Sequence, residues 1–295
     1  MNKTEENNYQ KLTDGELLEL LHTSGDALPM EVVEEVLDRS DRMLPLLTLI
    51  VIDKSNWTRP MPEWWAAVHA TYLLGAMESI DALPALMSAL RWADAFDNEW
   101  VTEDLPSIFG KLGVGAYPYL MAAAHDISAG WSARATALMS MASICATEIK
   151  LRAGFLDVAA GVLDNLSESI NLRQAAANIL LDFRSTAHRD LLIKFGREEA
   201  LRREEISSYE GAFYDWEVDD FLAADSRDLD FYQRDWMSFY EVDERQRRHD
   251  YWAEERQEGR DDGAAAASYP FDYDGGYCHC GSGVSYEECC KKKIH

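Results

Sequence analysis

Apolar residues recur every three to four positions through the first 200 residues, a spacing that favours amphipathic helices. Ala and Leu are frequent, and no stretch keeps the alternation of period two that is typical of strands. Near the start, Thr13 and Glu16 have the spacing of a capping box, in which each side chain satisfies a free backbone N–H of the other residue. The pattern predicts an all-α body whose first helix begins there.

The predicted helices also repeat along the chain. The first pair of matching blocks, LLGAM and IFGKL, lies 35 positions apart, and the second pair, ALPAL and AYPYL, lies 34 apart, at residues 73–77, 108–112, 82–86 and 116–120. A period of this length is typical of helical-hairpin repeats. Two further units with weaker signals are predicted at about 132–163 and 171–197.

At these positions the pattern resembles HEAT repeats, in which each helix pair buries its apolar stripe against the neighbouring pairs. The resemblance implies an α-solenoid of about four to five hairpins, and an irregular helical bundle is the alternative. The stretches WWAAVHA (64–70) and WVTEDLP (100–106) are similar to an uncharacterised bacterial HEAT-like family, over most of residues 10–225. That family implies a fold and no known activity.

The composition changes after the predicted repeat body at 10–200. Residues 204–262 contain 20 acidic residues against 7 Arg, together with many aromatic residues. Tyr232, Trp236 and Tyr240 follow one another at intervals of four, which predicts one aromatic face of a helix. The sequence therefore predicts capping helices at 201–262, a linker at 263–276 and a small C-terminal domain at 277–293.

The overall charge limits the choice of partner. Lys and Arg number 28 against 53 Asp and Glu, so the net charge of −25 opposes general binding to nucleic acid. The polar start MNKTEENNYQ does not resemble a signal peptide, and no apolar run approaches the roughly 18 residues of a membrane helix. We expect a cytoplasmic protein with no membrane span, whose thiols are reduced.

Four of the five cysteines lie within 13 residues, at Cys278, Cys280, Cys289 and Cys290. A tetrahedral zinc site requires four such donors, and the intervening loop of eight residues, which has two glycines, can turn the two pairs towards each other. Four protein ligands leave no open position for a catalytic water. The cluster predicts one structural Zn²⁺, and a disulfide or labile redox site is the alternative.

The segment Cys-X-Cys-Gly-Ser-Gly, followed by Tyr286 and a Cys-Cys pair, resembles the SEC-C motif, the C-terminal zinc knuckle of the SecA translocation motor. The resemblance implies docking on the protein-export or translation machinery, such as a SecB-like chaperone or the ribosome. Glu287 and Glu288 stand where a Lys is common, so this copy is less basic than usual before Lys291–Lys293.

Several residues of the helical body are candidates for binding or chemistry. A Trp-rich stretch beside carboxylates could line a peptide-binding face, although the Trp residues could equally fill the space between repeats. These candidates are Trp64, Trp65, Trp100, Glu103 and Asp104. Cys145 is expected to be a buried inert thiol, and His69 and His125 to be core or surface imidazoles.

The leading functional hypothesis is therefore a zinc-containing protein-binding adaptor. One alternative is an enzyme or toxin-like effector with an unrecognised active site that uses, for example, Glu103, Asp104 and His125 with a metal. Another is a structural domain whose knuckle only protects the C-terminus. The sequence contains no HExxH, nucleophile elbow or phosphate loop that would favour a known enzyme class.

Overall fold

A computed structural model of the protein describes residues 9–206, 213–224 and 229–261. Within these ranges the chain forms 13 α-helices and several short 3-10 turns, with no strand, so the all-α prediction is confirmed. Among the same residues, every helix is too short or too polar to cross a lipid bilayer. The four clustered cysteines and the predicted linker lie outside the described residues.

The chain divides into two compact units. The first contains the described residues up to Val101 and those from Asp235 onward, and the second extends from Thr102 to Arg234. The first unit has α1 (Asp14–Thr23), α2 (Met30–Asp38), α3 (Ser40–Ile52), α4 (Trp65–Ala76), α5 (Leu83–Ala95) and α13 (Val242–Asp261). Helix α6 (Glu99–Leu112) begins in the first unit and ends in the second.

The second unit has α7 (Tyr117–His125), α8 (Trp131–Thr147), α9 (Ile149–Asp164), α10 (Ile170–Asp182), α11 (Arg189–Ile206) and α12 (Val218–Ala223). The domain limits expected from composition, with one body over 10–200, stay a prediction.

Helix α1 begins where the capping box predicts. The Glu16 backbone N–H donates to Thr13 Oγ1 at 3.2 Å, and the Thr13 backbone N–H donates to Glu16 Oε2 at 2.7 Å. The backbone N–H and the hydroxyl of Thr13 both donate to the Glu16 carboxylate, and these two bonds lower the pKa of that carboxyl because they stabilise its charged form. The start of the helix is therefore specified locally.

Helix α4 forms the centre of the first unit. Its residues from Trp65 to Gly75 are all buried, and α1, α2, α3 and α5 all contact it. A helix that is apolar on every side can be stable only when other elements surround it. Helix α8 has the same place in the second unit, where α7, α9 and α10 contact it.

The predicted aromatic helix face at Tyr232, Trp236 and Tyr240 is wrong. Tyr232 lies in a 3-10 turn of the second unit, whereas Trp236 and Tyr240 lie in another 3-10 turn of the first unit. Arg234 has an extended backbone between the two turns, and the Asp235 side chain caps the second turn by accepting from the Met237 N–H at 3.1 Å. Burial within separate units, and not a shared helix face, accounts for these aromatic positions.

The two pairs of matching sequence blocks fall at equivalent places in the helices. Leu73 and Ile108 lie in the later part of α4 and α6, respectively. Pro84 and Pro118 are the second residues of α5 and α7, and a short 3-10 turn precedes each of these helices. Proline suits this position because a first-turn N–H has no partner within its helix.

A second recurrence, with a longer period, appears in the turns before α8 and α10. The Ser128 N–H donates to Asp126 Oδ1 at 3.0 Å, and the Ser167 N–H donates to Asn165 Oδ1 at 3.1 Å. Each turn follows α7 or α9 directly, and each leads to the next helix after five residues. The two turns lie 39 positions apart, from 126 to 165.

The helices after these turns each have a buried arginine as their fourth residue, Arg134 in α8 and Arg173 in α10. Each Nε donates to the carbonyl oxygen of the penultimate residue of the preceding helix, at 2.9 and 2.8 Å. Each guanidinium also pairs with a glutamate, Glu168 at 2.6 Å and Glu198 at 2.8 Å. The same contacts therefore join α7 to α8 and α9 to α10.

Candidate functional site

The tryptophans of the proposed peptide-binding face lie mostly inside the first unit. Trp64 and Trp65 are only 8% and 4% exposed, while Trp100 is 36% exposed. The Trp65 ring packs against Trp64 and Trp100, with centroids 5.2 and 5.4 Å away. Trp64 and Trp65 therefore fill interior space in the first unit and do not form an open peptide-binding face.

A turn from the C-terminal part of the chain covers this aromatic group. The turn comprises Trp236–Tyr240, called the 236–240 turn below. Its Phe239 ring has its centroid 5.7 Å from that of Trp65 and 5.6 Å from that of Tyr72. The Trp236 Nε1–H donates to the Tyr72 carbonyl oxygen at 3.1 Å. The turn thus completes the core of the first unit with both apolar and polar contacts.

His69 is fully buried under this turn and has a partner on each ring nitrogen. Nε2 lies 2.8 Å from the Gly25 carbonyl oxygen, which can only accept, so Nε2 has the proton. Nδ1 then accepts from the Tyr240 hydroxyl at 3.0 Å. Burial lowers the pKa of His69 to about 4. The neutral ring is a structural link between three segments, as the core interpretation predicted.

Arg248 of α13 also holds the 236–240 turn in place. The guanidinium lies over the Phe239 ring, 3.6 Å from its centroid, and donates to the Phe239 carbonyl oxygen at 2.7 Å. It also donates to the Asp26 carbonyl oxygen at 3.0 Å. Burial lowers the pKa of Arg248, and the aromatic face offsets part of the cost of burying its charge. Sequence reasoning missed this residue because no local pattern marks it.

Glu103 and Asp104, the carboxylates of the candidate enzyme site, have a common cationic partner in the second unit. The Arg234 guanidinium lies 2.9 Å from Glu103 and 3.9 Å from Asp104. The backbone N–H of Arg234 also donates to Ser107 Oγ at 2.8 Å. These contacts attach Arg234 to α6.

The other candidate groups of the second unit are His125 and Cys145. His125 is exposed and its Nδ1–H donates to the Met121 carbonyl oxygen of its own helix at 2.8 Å. Cys145 is fully buried, and burial raises the pKa of its thiol to about 12, so it is an inert core thiol as expected. Within the described part of the chain, no three His, Cys, Asp or Glu residues come together as a possible metal site.

A cleft of about 640 Å³ lies beside the start of α1 in the first unit. Arg39 occupies it and donates to Glu35, Asp14 and the Leu12 carbonyl oxygen at 2.6, 2.9 and 2.8 Å. The guanidinium is therefore held by groups of the protein itself. We interpret the ion pairs of Arg39 in this cleft as structural.

A second cleft, of about 430 Å³, lies between α1, α3 and the turn after α3, and is called the α1–α3 cleft below. Leu18, Leu46 and Leu49 supply apolar walls. Leu49 is 60% exposed, so its apolar surface is accessible at this cleft. No sequence motif marks this cleft, because its residues come from two separate stretches of the chain, 18–23 and 46–63.

Two polar atoms of the α1–α3 cleft are buried without a partner among the residues that the structure describes, Asn56 Oδ1 and His22 Nδ1. Asn56 is only 5% exposed, and its Nδ2 donates to the Ile50 carbonyl oxygen at 2.9 Å, which leaves Oδ1 as the free acceptor. Burial lowers the pKa of His22, and the positive charge of Arg59 adds to this effect. Buried polar atoms normally have a partner, so these two mark the cleft as a candidate binding site.

By its fold, the described part of the chain belongs to the all-α class. Comparison with protein-family models finds no matching family, and searches among curated proteins and solved structures find no similar chain. Function is therefore inferred from the residues of this chain.

Proposed function

We propose that this chain is a zinc-containing, protein-binding adaptor that acts in the cytoplasm. Its body is a HEAT-like α-solenoid of about four to five hairpins, and its C-terminal cysteines form a SEC-C knuckle. The observation that carries the proposal for the body is the recurrence, 39 positions apart, of the same turn and the same buried arginine in α7–α8 and α9–α10. Repeated helical pairs typically form extended surfaces that bind proteins.

The packing order of the second unit supports this body. Helix α8 contacts α10, and α9 contacts α11, in addition to the contacts between consecutive helices α7 to α10. Each pair thus packs against the next, as solenoid repeats do. The ion pair of Glu103 with Arg234 and the bond of His125 to its own helix support structural roles for these side chains over catalytic ones.

The proposal for the knuckle rests on the chemistry of its donors. Cys278, Cys280, Cys289 and Cys290 supply four thiolates, a donor set that suits tetrahedral Zn²⁺ and fills its coordination shell. The resemblance to the SecA knuckle supports docking on the protein-export or translation machinery, either on a SecB-like chaperone or on the ribosome. Joining this weak contact to a body that binds a second protein increases the effective affinity for both.

Metal analysis of the reduced protein tests the knuckle. We expect about one zinc per chain, lost in Cys278→Ser and in Cys289→Ser, because each change removes one of four ligands. Cys145→Ser is the matched control and should retain its zinc, since Cys145 is buried in α8. Wild-type protein without zinc, or loss of zinc only in the Cys145 variant, would contradict the assignment.

Co-sedimentation with purified ribosomes and binding to a purified SecB-like chaperone test the docking role. We expect the full chain to bind one of these partners weakly, and a chain that ends at Tyr277 to lose that binding. Three lysines supply only about 0.2 to 1 kcal/mol each at an exposed contact, so binding should weaken as salt is added. Equal binding by both chains would exclude the knuckle as the docking module.

A further inference from the structure

We propose that the α1–α3 cleft binds a protonated primary amine on an aliphatic chain, the chemistry of a lysine side chain or a free alkylamine. This site lies in the first unit and does not depend on the zinc knuckle. The inference rests on three features of the cleft: its apolar walls, its unpartnered buried acceptors and the charge of its rim.

The walls suit an unbranched aliphatic chain. Leu18 comes from α1, and Leu46 and Leu49 come from α3, so two helices supply apolar surface to the cleft. Leu49 is largely exposed to solvent. A chain of methylene groups that lies along these side chains would remove apolar area from water on both partners. The volume of about 430 Å³ is sufficient for such a chain.

The unpartnered buried oxygen of Asn56 in this cleft requires a hydrogen-bond donor. The Asn56 side-chain nitrogen donates to the Ile50 carbonyl oxygen, which fixes the orientation of the amide and leaves Oδ1 as an acceptor without a partner. The lowered pKa of His22 keeps its ring neutral near pH 7, and in the Nε2–H tautomer its Nδ1 is a second acceptor. An ammonium group has three donors and no acceptor, which matches two acceptors and one carboxylate.

The rim selects a cation. Glu19, Asp53 and Glu63 are the three carboxylates that line the cleft, and Arg59 is the one cation among its lining residues. Arg59 is already paired with Glu63 at 3.2 Å, and a backbone N–H from Ser55 lowers the pKa of Asp53. With His22 neutral, the lining residues have a net charge of −2. This charge repels a carboxylate of the same length and favours an amine.

Nuclear magnetic resonance of the full chain can test the site directly. The probes are n-pentylamine and a lysine blocked at its α-amino and carboxyl groups, with 1-pentanol and pentanoate as uncharged and anionic controls. We expect saturable shifts of the His22 ring and Asn56 side-chain amide signals with one or both amines. Shifts with both assign the cleft to ammonium groups in general, and shifts with the blocked lysine alone assign it to a protein side chain. Equal shifts with 1-pentanol, or none with either amine, would overturn the proposal.

Variants at the rim supply the second measurement. The double change Glu19→Gln and Glu63→Gln should weaken amine binding about fivefold or more, because it removes two carboxylates that attract the cation. Glu31→Gln, an exposed carboxylate of α2 that does not line the cleft, is the matched control and should bind normally. Unchanged affinity in the rim variant would exclude a charge-selective site.

The apolar wall has its own pair of variants, which keeps the test decisive if the rim variant unfolds. Leu49→Ala should weaken binding, whereas Ile80→Ala, which truncates another exposed apolar residue of the first unit, should leave it unchanged. Equal effects of the two changes would overturn the proposal. Circular dichroism of each variant confirms that its helices are intact.

Discussion

At the scale of single residues, burial determines what a titratable side chain can do. His69 could have been an acid–base group, but it lies under the 236–240 turn with both ring nitrogens occupied. Its pKa is lowered to about 4 in the folded protein, so protonation of the ring destabilises the folded state relative to the unfolded state. The ring is therefore a structural group whose charge state is linked to stability.

This linkage has a definite sign. The unfolded chain binds a proton at His69 near pH 6.5, whereas the folded chain binds it only near pH 4. The free energy of unfolding should therefore fall as the pH decreases between these values, by about 1.4 kcal/mol per pH unit. From pH 7 to pH 5 we expect wild type to lose about 2 kcal/mol more than His69→Gln does, measured by urea unfolding. Parallel pH profiles for the two proteins would show that His69 does not titrate in this way.

At the scale of helices, the buried arginines Arg134 and Arg173 join each helix to the end of the preceding one. Arg134 binds Glu168 through both terminal nitrogens, at 2.6 and 2.7 Å, while its Nε binds the Ala124 carbonyl oxygen. Lysine cannot make these three bonds at once, because its ammonium has no fixed fork of donors. The recurrence at Arg173 makes this contact a property of the helix pair and not of a single site.

Replacing Arg134 with lysine should therefore destabilise the second unit by about 2 to 3 kcal/mol, because Glu168 would lose its bidentate partner in a buried place. Arg189→Lys is the matched control, since Arg189 pairs with Asp219 in a solvent-exposed position. We expect that change to cost less than about 1 kcal/mol. Chemical denaturation of both variants measures the difference, and equal costs would refute a special role for the buried arginine.

Two helical glycines of the second unit differ in the space around them, so replacing each with alanine distinguishes the effect of helix propensity from the effect of packing. A Cβ added at Gly154 of α9 meets no atom within 4 Å, whereas one added at Gly196 of α11 would lie 2.5 Å from the Asp215 backbone nitrogen. Gly154→Ala should stabilise the protein by up to about 1 kcal/mol. Gly196→Ala should destabilise it by about 1 to 3 kcal/mol, because backbone must move. Thermal melts that shift in the same direction for both would contradict this account.

At the scale of the whole molecule, one of the two compact units is built from residues that are not consecutive in the chain. The first unit takes residues from both ends of the described chain, since the 236–240 turn and α13 belong with α1 to α5. Composition alone suggested one capping region over 201–262. Five aromatic residues of that region are buried in the unit to which each belongs: Phe213, Tyr232, Trp236, Phe239 and Tyr240.

This organisation predicts how truncation affects each unit. A chain that ends at Arg234 lacks the buried residues Trp236, Phe239 and Tyr240. The loss of each of these side chains should destabilise the first unit by about 3 to 5 kcal/mol. Hydrogen exchange should then show lost protection in α4 and retained protection in α8. A chain that ends at Asp261 is the control and should protect both helices. Retained protection of α4 in the shorter chain would mean that the turn is dispensable.

The sequence by itself determined the local features of this protein. The all-α class follows from the apolar spacing, and the start of α1 follows from Thr13 and Glu16, because both depend on residues within one or two helical turns. Burial of Cys145 was also predictable from its apolar helix. The four-cysteine zinc site stays a prediction from sequence, since its donors lie outside the described residues.

Only the tertiary structure decided what lies against what. The packing of Trp65 on Phe239, the two bonds of His69 and the bond of Arg248 to the Asp26 carbonyl oxygen join residues that are far apart in sequence. No local pattern contains these contacts. The α1–α3 cleft also depends on tertiary structure, because its lining residues come from two separate stretches of the chain and Asn56 Oδ1 is buried there without a partner. Periodicity reports which face of a helix is apolar. The surface that covers that face is set by long-range packing, and packing determines which side chains remain available to a ligand.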